Sequence, residues 1–238
     1  MSEATRQRVL QLLKAIPTRG LSATKQLFCT ELNYDHANEP LSARNWPDPA
    51  REALAAGEPP LLLAQHSSQF GAFHVIYTRL APEQRGRDFP LSLAAERQVV
   101  TQLLPDHPYA LFLFSDPEER HWHLVNVRYD QEAERRRIYR RIAVGPHERL
   151  RTAAERVAML DPAALSPDLF DLAPIAIQQR HDDAFDVEAV TKAFFTTYRE
   201  HFERVEARIT GLPASDAEGD VENVRIFTQR LFNRLLFI

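Results

Sequence analysis

The first apolar positions of the chain, Val9, Leu10, Leu12, Leu13 and Ile16, have the three- and four-residue spacing of a helix face, and Pro17 predicts where that helix ends. "NYDHANEPLSARNWPDPAREALAAGEPP" then shows no period and is rich in Pro, Asn and Asp, which predicts a loop-like region. Period two follows. "LLLAQHSS" (61–68) and "FGAFHVIYTRL" (70–80) predict strands, the second through its aromatic and β-branched residues. "SLAAERQVVTQLL" (92–104) returns to helical spacing through Leu93, Val99, Val100, Leu103 and Leu104. "YALFLFSD" (109–116) and "HWHLVNVRYD" (121–130) predict a hairpin closed over Pro117 to Arg120. "RRIYRRIAVG" (136–145) alternates Ile138, Arg140, Ile142 and Val144 against Arg137, Tyr139, Arg141 and Ala143. The order helix, two strands, helix, three strands predicts an α/β (α+β) domain around a mostly buried, mixed sheet of about five strands.

Beyond Gly145, Thr152 and Glu155 have capping-box spacing and predict a helix start. Pro162, Pro167 and Pro174 then give a linker-like stretch. Val187, Val190, Phe194, Tyr198, Phe202, Val205 and Ile209 recur at helical steps, "GLPASDAEGD" makes a polar turn, and "IFTQRLFNRLLFI" closes the chain as an apolar helix. The predicted organisation is an α/β domain over 1–165, a linker over 166–181 and a helical hairpin over 182–238. Two helices are too thin to hide two apolar stripes. Phe227, Leu231, Leu235, Phe237 and Ile238 are therefore expected to meet a partner: a methyltransferase domain or subunit, or a second copy. The apolar ending lacks the polar or glycine close usual for a helix, so the surface it covers is expected to lie in a missing part of a larger polypeptide.

Composition narrows the class. At 238 residues and 44% apolar content the chain can bury a sizeable core. No run approaches the ~18 apolar residues of a membrane span, and the N-terminus lacks the order of a signal peptide, so a cytoplasmic protein without membrane contact is expected. The single cysteine, Cys29, cannot form an internal disulfide, and its neighbours Leu27 and Phe28 suggest a buried structural thiol.

Charge is unevenly spread. Residues 131–156 hold eight arginines against four glutamates, whereas 182–238 holds eleven acids against seven bases. Arg135, Arg136, Arg137, Arg140, Arg141, Arg149 and Arg151 form the candidate DNA-backbone surface, because guanidinium groups bond phosphate oxygens in pairs and release counterions. On the strand, Arg137 and Arg141 share a face with Tyr139, which could stack on a base or sugar. A solvated strand edge, ion pairs with Glu132, Glu134 and Glu148, or an interface to another domain would use the same residues.

Taken together, "HPYALFLFSD", "WHLVNVRYD", "RRRIYRRIAVGPHERLRTAAERVAMLD", "AFDVEAVTKAFFTTYREHF" and "FTQRLFNRLLFI" resemble the N-terminal region of bacterial restriction–modification polypeptides that fuse an adenine-specific DNA methyltransferase to upstream domains. The resemblance covers roughly residues 110–238 well and the first hundred loosely. It implies a part in phage defence, continuation into a helical bundle and a methyltransferase domain, and a chain truncated before them. The chemistry of that family is not visible in the residues. A methyl-donor site needs a Gly-rich turn, and base capture needs an Asn/Asp-Pro-Pro-aromatic loop. None of the glycines stand two apart, and the Pro-Pro pair sits in "EPPL". No cofactor is expected.

Polypeptides of this kind often carry an N-terminal Mg²⁺-dependent nuclease, with an Asp and a Glu-x-Lys pair presented on strands. The residues two before Lys14, Lys25 and Lys192 are Leu12, Ala23 and Val190, so that pair is absent. Two nuclease-related readings follow: a degenerate restriction-endonuclease-like scaffold that has lost its metal site, or an unusual acid set of Glu96, Asp116 and Asp130. His121 and His123 are two apart around Trp122 but lack a third ligand, which favours structural use, with Trp122 and Leu124 inward. Ser115 with Asp116, or His66 with Ser67 and Ser68, lack the turn of a hydrolase nucleophile. Three functions stand: a non-catalytic restriction–modification module that docks to a methyltransferase or DNA-recognition region and contacts DNA backbone, a Mg²⁺-dependent DNA endonuclease domain, and a scaffold domain without DNA contact.

Overall fold

The computed structural model describes residues 3–82, 91–129, 137–165, 172–210 and 217–236; for 129, 187–194, 217–222 and 236 it describes backbone alone. The chain divides into two compact units, Met1–Phe185 and Asp186–Ile238.

The first unit is built on one open, mixed six-stranded sheet in the order β1 (Asp35–Pro40), β2 (Leu61–Ser68), β3 (Gly71–Arg79), β4 (Ala110–Ser115), β5 (Trp122–Tyr129) and β6 (Arg137–Val144). β3 and β4 are parallel and every other neighbouring pair is antiparallel. A parallel pair needs a long crossover, and α4 (Leu93–Leu103) supplies it. The α/β class follows as expected, with one strand more than the five predicted. That strand is β1, inside the region expected to be loop. It lies at the sheet edge with nearly every side chain exposed, so burial imposes no alternation on "DHANEP". A register shift between His36 and Glu39, with Asn38 at a φ of 57°, bends it. A short helix, α3 (Asp48–Glu52), lies in the same region.

Two cores sandwich the sheet. On one face Phe73, Val75, Tyr77, Leu111, Leu113, Trp122, Leu124, Ile142 and Val144 meet α1 (Glu3–Arg19), α2 (Leu21–Lys25) with its continuing π-helical turn Gln26–Glu31, α5 (Leu150–Ala158) and α6 (Pro174–Ala184). On the other, Ile76, Phe112, Phe114, Val125 and Val127 pack on Val99, Val100 and Leu103 of α4. Because both faces are covered, β4 reads as a continuous apolar run and all six of its residues are buried.

α1 runs two residues past Pro17 and closes on Gly20, whose N–H donates to the Ile16 carbonyl at 2.7 Å with a φ of +54°. α5 starts at Leu150, two residues before the expected capping box, with Arg149 at the cap and no side-chain cap bond. Thr152 thus lies inside the helix. Leu150 is buried in the first core, and its burial takes the helix start past the local signal. Residues 174–181, read from their prolines as linker, are helical: Pro174 occupies the first turn of α6, and Ile177 is fully buried against the sheet.

The second unit is a helical hairpin of α7 (Val187–Glu206) and α8 (Ala217–Leu236). Tyr198, Phe202 and Phe232 form its seam, with Phe232 edge-on to Tyr198 at 5.3 Å between centroids, and Thr228 is fully buried. Among the described residues no helix is long and apolar enough to cross a membrane.

Candidate functional site: a basic cleft and an uncovered helical face

An open cleft of about 620 Å³ lies at the carboxyl-terminal edge of the sheet. Lys14, Pro17 and Thr18 of α1 line it, together with Arg120 from the β4–β5 turn, Gly145, Pro146 and Glu148 after β6, and Leu150 at the start of α5. The turn carrying Arg120 is held by Asp116, whose Oδ1 accepts from the backbone N–H groups of Arg120 (2.7 Å) and His121 (3.1 Å) while Oδ2 meets His121 Nδ1 at 2.9 Å. Gly145 packs against that imidazole, and a Cβ there would lie 3.2 Å from its Cδ2. Lys14 and Arg120 are exposed, and among the described residues no acid comes within ion-pair distance of either.

The arginine group does not act as one surface. Arg135 and Arg136 lie outside the described residues. Arg137 and Arg141 do share a face with Tyr139, but α4 covers that face. Arg137 Nη1 donates to Thr101 Oγ1 at 3.1 Å, Arg141 Nε donates to Glu96 Oε2 at 2.6 Å, and Tyr139 is bracketed by Arg97 and Arg141. Arg140 points to the opposite face, beside Asn126 in the register, and its Nη1 is buried. Arg149 and Arg151 are exposed at the start of α5, on either side of Leu150. Of the described members, these two are the fully exposed ones, next in sequence to the cleft.

Glu96 explains where Arg141 goes. Its carboxylate is fully buried on α4, and a buried charge is tolerated only when paired and hydrogen-bonded. Arg141 and His123 Nδ1 are its partners. Glu96 and Asp116 therefore each serve local structure, and Asp130 of the alternative acid set is outside the described residues. Among the described residues no group of three or more His, Cys, Asp or Glu side chains is placed to hold a metal. His121 and His123 are each engaged by a carboxylate, while Trp122 and Leu124 face the first core as expected.

Sequence reasoning missed three polar clusters. At the ends of β3 and β4, Tyr77 Oη lies 2.9 Å from Ser115 Oγ and donates to Glu119 at 3.3 Å, Arg79 pairs with Glu119 and Glu58, and Glu119 Oε2 accepts the Leu21 N–H at 2.8 Å. Burial pushes the Tyr77 hydroxyl up to about 12. Behind the sheet, Gln178 and Asp182 of α6 bond Asn126, and His181 Nε2 meets Tyr34 Oη at 2.9 Å. His74 and His107 meet edge to face, with Nδ1 atoms 3.2 Å apart, and burial lowers both; His74 falls to about 4. The signal available was polar residues inside or ending otherwise apolar strands, which marks positions but not partners. Cys29 is partly buried against the first core, and burial raises its thiol, consistent with an inert role.

On the hairpin, Phe195, Ile226, Phe227, Leu231 and Leu235 are exposed, Phe195 and Leu235 by 60% and 65%. Phe227, Leu231 and Leu235 are thus among the exposed residues, and Phe237 and Ile238 are outside the described residues. Residues 223–236 carry Arg225, Arg230 and Arg234 and no acid.

Compared with known proteins, the chain matches no family model, no curated protein and no solved structure.

Proposed function

We propose that the chain is a non-catalytic module of a DNA restriction–modification system that docks through its helical hairpin onto a methyltransferase or DNA-recognition region and contacts DNA backbone. The observation that carries the docking part is the row of exposed apolar side chains on α8, Phe227, Leu231 and Leu235. Exposed arginines flank that row, as at interfaces whose anchors are aromatic and aliphatic with charge at the rim. The restriction–modification setting rests on the sequence resemblance. The order helix, strands, helix, strand is compatible with a nuclease scaffold, and the engagement of Glu96 and Asp116 by other residues supports one without a working metal site.

The test purifies the chain from its native host and measures co-purifying methyl transfer from labelled S-adenosylmethionine to duplex DNA. Leu231→Glu with Leu235→Glu is expected to lose that activity while the first unit stays folded. An intact chain that brings no methyl-transfer activity overturns the docking role. Cleavage of a duplex by the pure chain with Mg²⁺ overturns the non-catalytic one.

A further inference from the structure

We infer that the cleft at the carboxyl-terminal edge of the sheet binds a phosphodiester of a nucleic-acid strand through Lys14 and Arg120. The inference rests on the DNA-contact part of the reading above and moves that contact away from the arginines of β6.

Two cations from elements far apart in sequence, α1 and the β4–β5 turn, line one cavity. Several cations elsewhere in this unit are paired with acids. Arg8 pairs with Glu31, Arg79 with Glu58 and Glu119, and Arg141 with Glu96. Among the described residues Lys14 and Arg120 have no such partner, and Glu148 is the single acid among the residues that line the cleft. An ammonium and a guanidinium left open in a concave site suit an anion with several oxygens. The guanidinium fork matches two oxygens of one phosphate, and the lysine adds a point charge. A volume of about 620 Å³ lies in the range of small-molecule sites and exceeds what a lone inorganic ion fills.

The cleft is also built to keep its shape. Asp116 fixes the turn that carries Arg120 through two backbone hydrogen bonds, and Gly145 seats the wall against His121. It lies beyond the carboxyl ends of β4 and β6, where the β4–β5 turn and the chain after β6 meet α1. Arg149 and Arg151, exposed and next in sequence to the cleft-lining Leu150, add positive charge of the kind a continuing strand of phosphates requires and a free carboxylate or single phosphate does not.

The experiment is fluorescence anisotropy of a labelled duplex with the full chain over a range of salt concentrations. The variants are Lys14→Ala with Arg120→Ala, and Arg44→Ala as an exposed-arginine control away from the cleft. Circular dichroism checks that each variant is folded. The double variant is expected to bind about tenfold more weakly or worse, with the slope of log affinity against log salt reduced by about 2, while Arg44→Ala follows the native chain. Duplex binding by the native chain that the double variant reproduces in affinity and slope overturns the cleft assignment and leaves DNA contact standing. Failure of the native chain to bind at low salt overturns both.

Discussion

Gly20 shows how one residue ties together segments far apart in sequence. Its φ of +54° ends α1, and the place where a Cβ would sit is taken by the Glu119 carboxylate, which accepts the next N–H and pairs with Arg79. Gly20→Ala must therefore both strain the backbone and displace Glu119. Gly57 has a φ of +79° and open space around its Cβ position, so Gly57→Ala carries the strain alone, about 1–2 kcal/mol. Urea unfolding is expected to show Gly20→Ala costing clearly more than Gly57→Ala; equal costs would mean that Glu119 moves aside freely. His181 is the second instructive residue. Tyr34 Oη donates to the Leu160 carbonyl at 2.8 Å, so it accepts from His181 Nε2–H, and the unpartnered Nδ1 is then a bare lone pair, not a stranded donor. Burial holds this imidazole at about 3, against 6.5 when unfolded. Between those values the unfolded chain binds more protons, so the contribution to stability is complete above about 6.5 and is lost as the pH falls toward 3. His74 and His107 act in the same direction. Unfolding free energies from urea titrations should fall from pH 7 to pH 5 by up to about 1.4 kcal/mol per pH unit for each such group, and His181→Asn should flatten that fall. An unchanged fall in the variant would remove His181 from the account. Neither Gly20 nor His181 stood out in the sequence, because the requirement on each comes from a partner more than ninety residues away.

At the scale of elements, legibility followed burial. β2, β3, α4, β4, β5 and β6 announce themselves because a core on one or both faces imposes periods of two, 3.6 or a continuous apolar run. β1 does not, since an exposed edge strand is held by backbone hydrogen bonds that any sequence can make. α5 shows a local signal overruled, its start displaced by the buried Leu150. α6 shows a proline misread: Pro174 is a helix opener, and the polar Gln178 and His181, which look like linker, face partners behind the sheet together with Asp182. If α6 belongs to the first unit's core, Ile177→Ala should destabilise that unit by about 2–5 kcal/mol, as for other buried large-to-small changes. A tether would show almost no effect in thermal or urea unfolding. The cleft was invisible for a related reason. Lys14 and Arg120 have no spacing in common, and they line one cavity because α1 ends beside the β4–β5 turn.

The two units differ in how much of their apolar surface they hide. In the first, Phe28, Phe73, Phe112, Phe114, Trp122 and Phe185 are almost wholly buried in two cores separated by a sheet whose strands are hydrogen-bonded to their neighbours. In the second, described burial amounts to a seam of Tyr198, Phe202, Phe232 and Thr228, while Phe195, Phe227, Leu231 and Leu235 stay in contact with water. A helix pair without tertiary support is marginal, because most helical stability comes from the packing of an apolar face. The two parts should therefore open at different free energies. Native-state hydrogen exchange is expected to give the amides of β3, β4 and β5 the protection of global unfolding and those of α7 and α8 much less, since local opening costs little where few side chains are buried. A partner that covers Leu231 and Leu235 binds only the folded hairpin, so it must slow exchange there by the factor 1 + [L]/Kd. Equal protection of hairpin and sheet in the isolated chain would show that the seam suffices and that the uncovered face is not a site awaiting a partner.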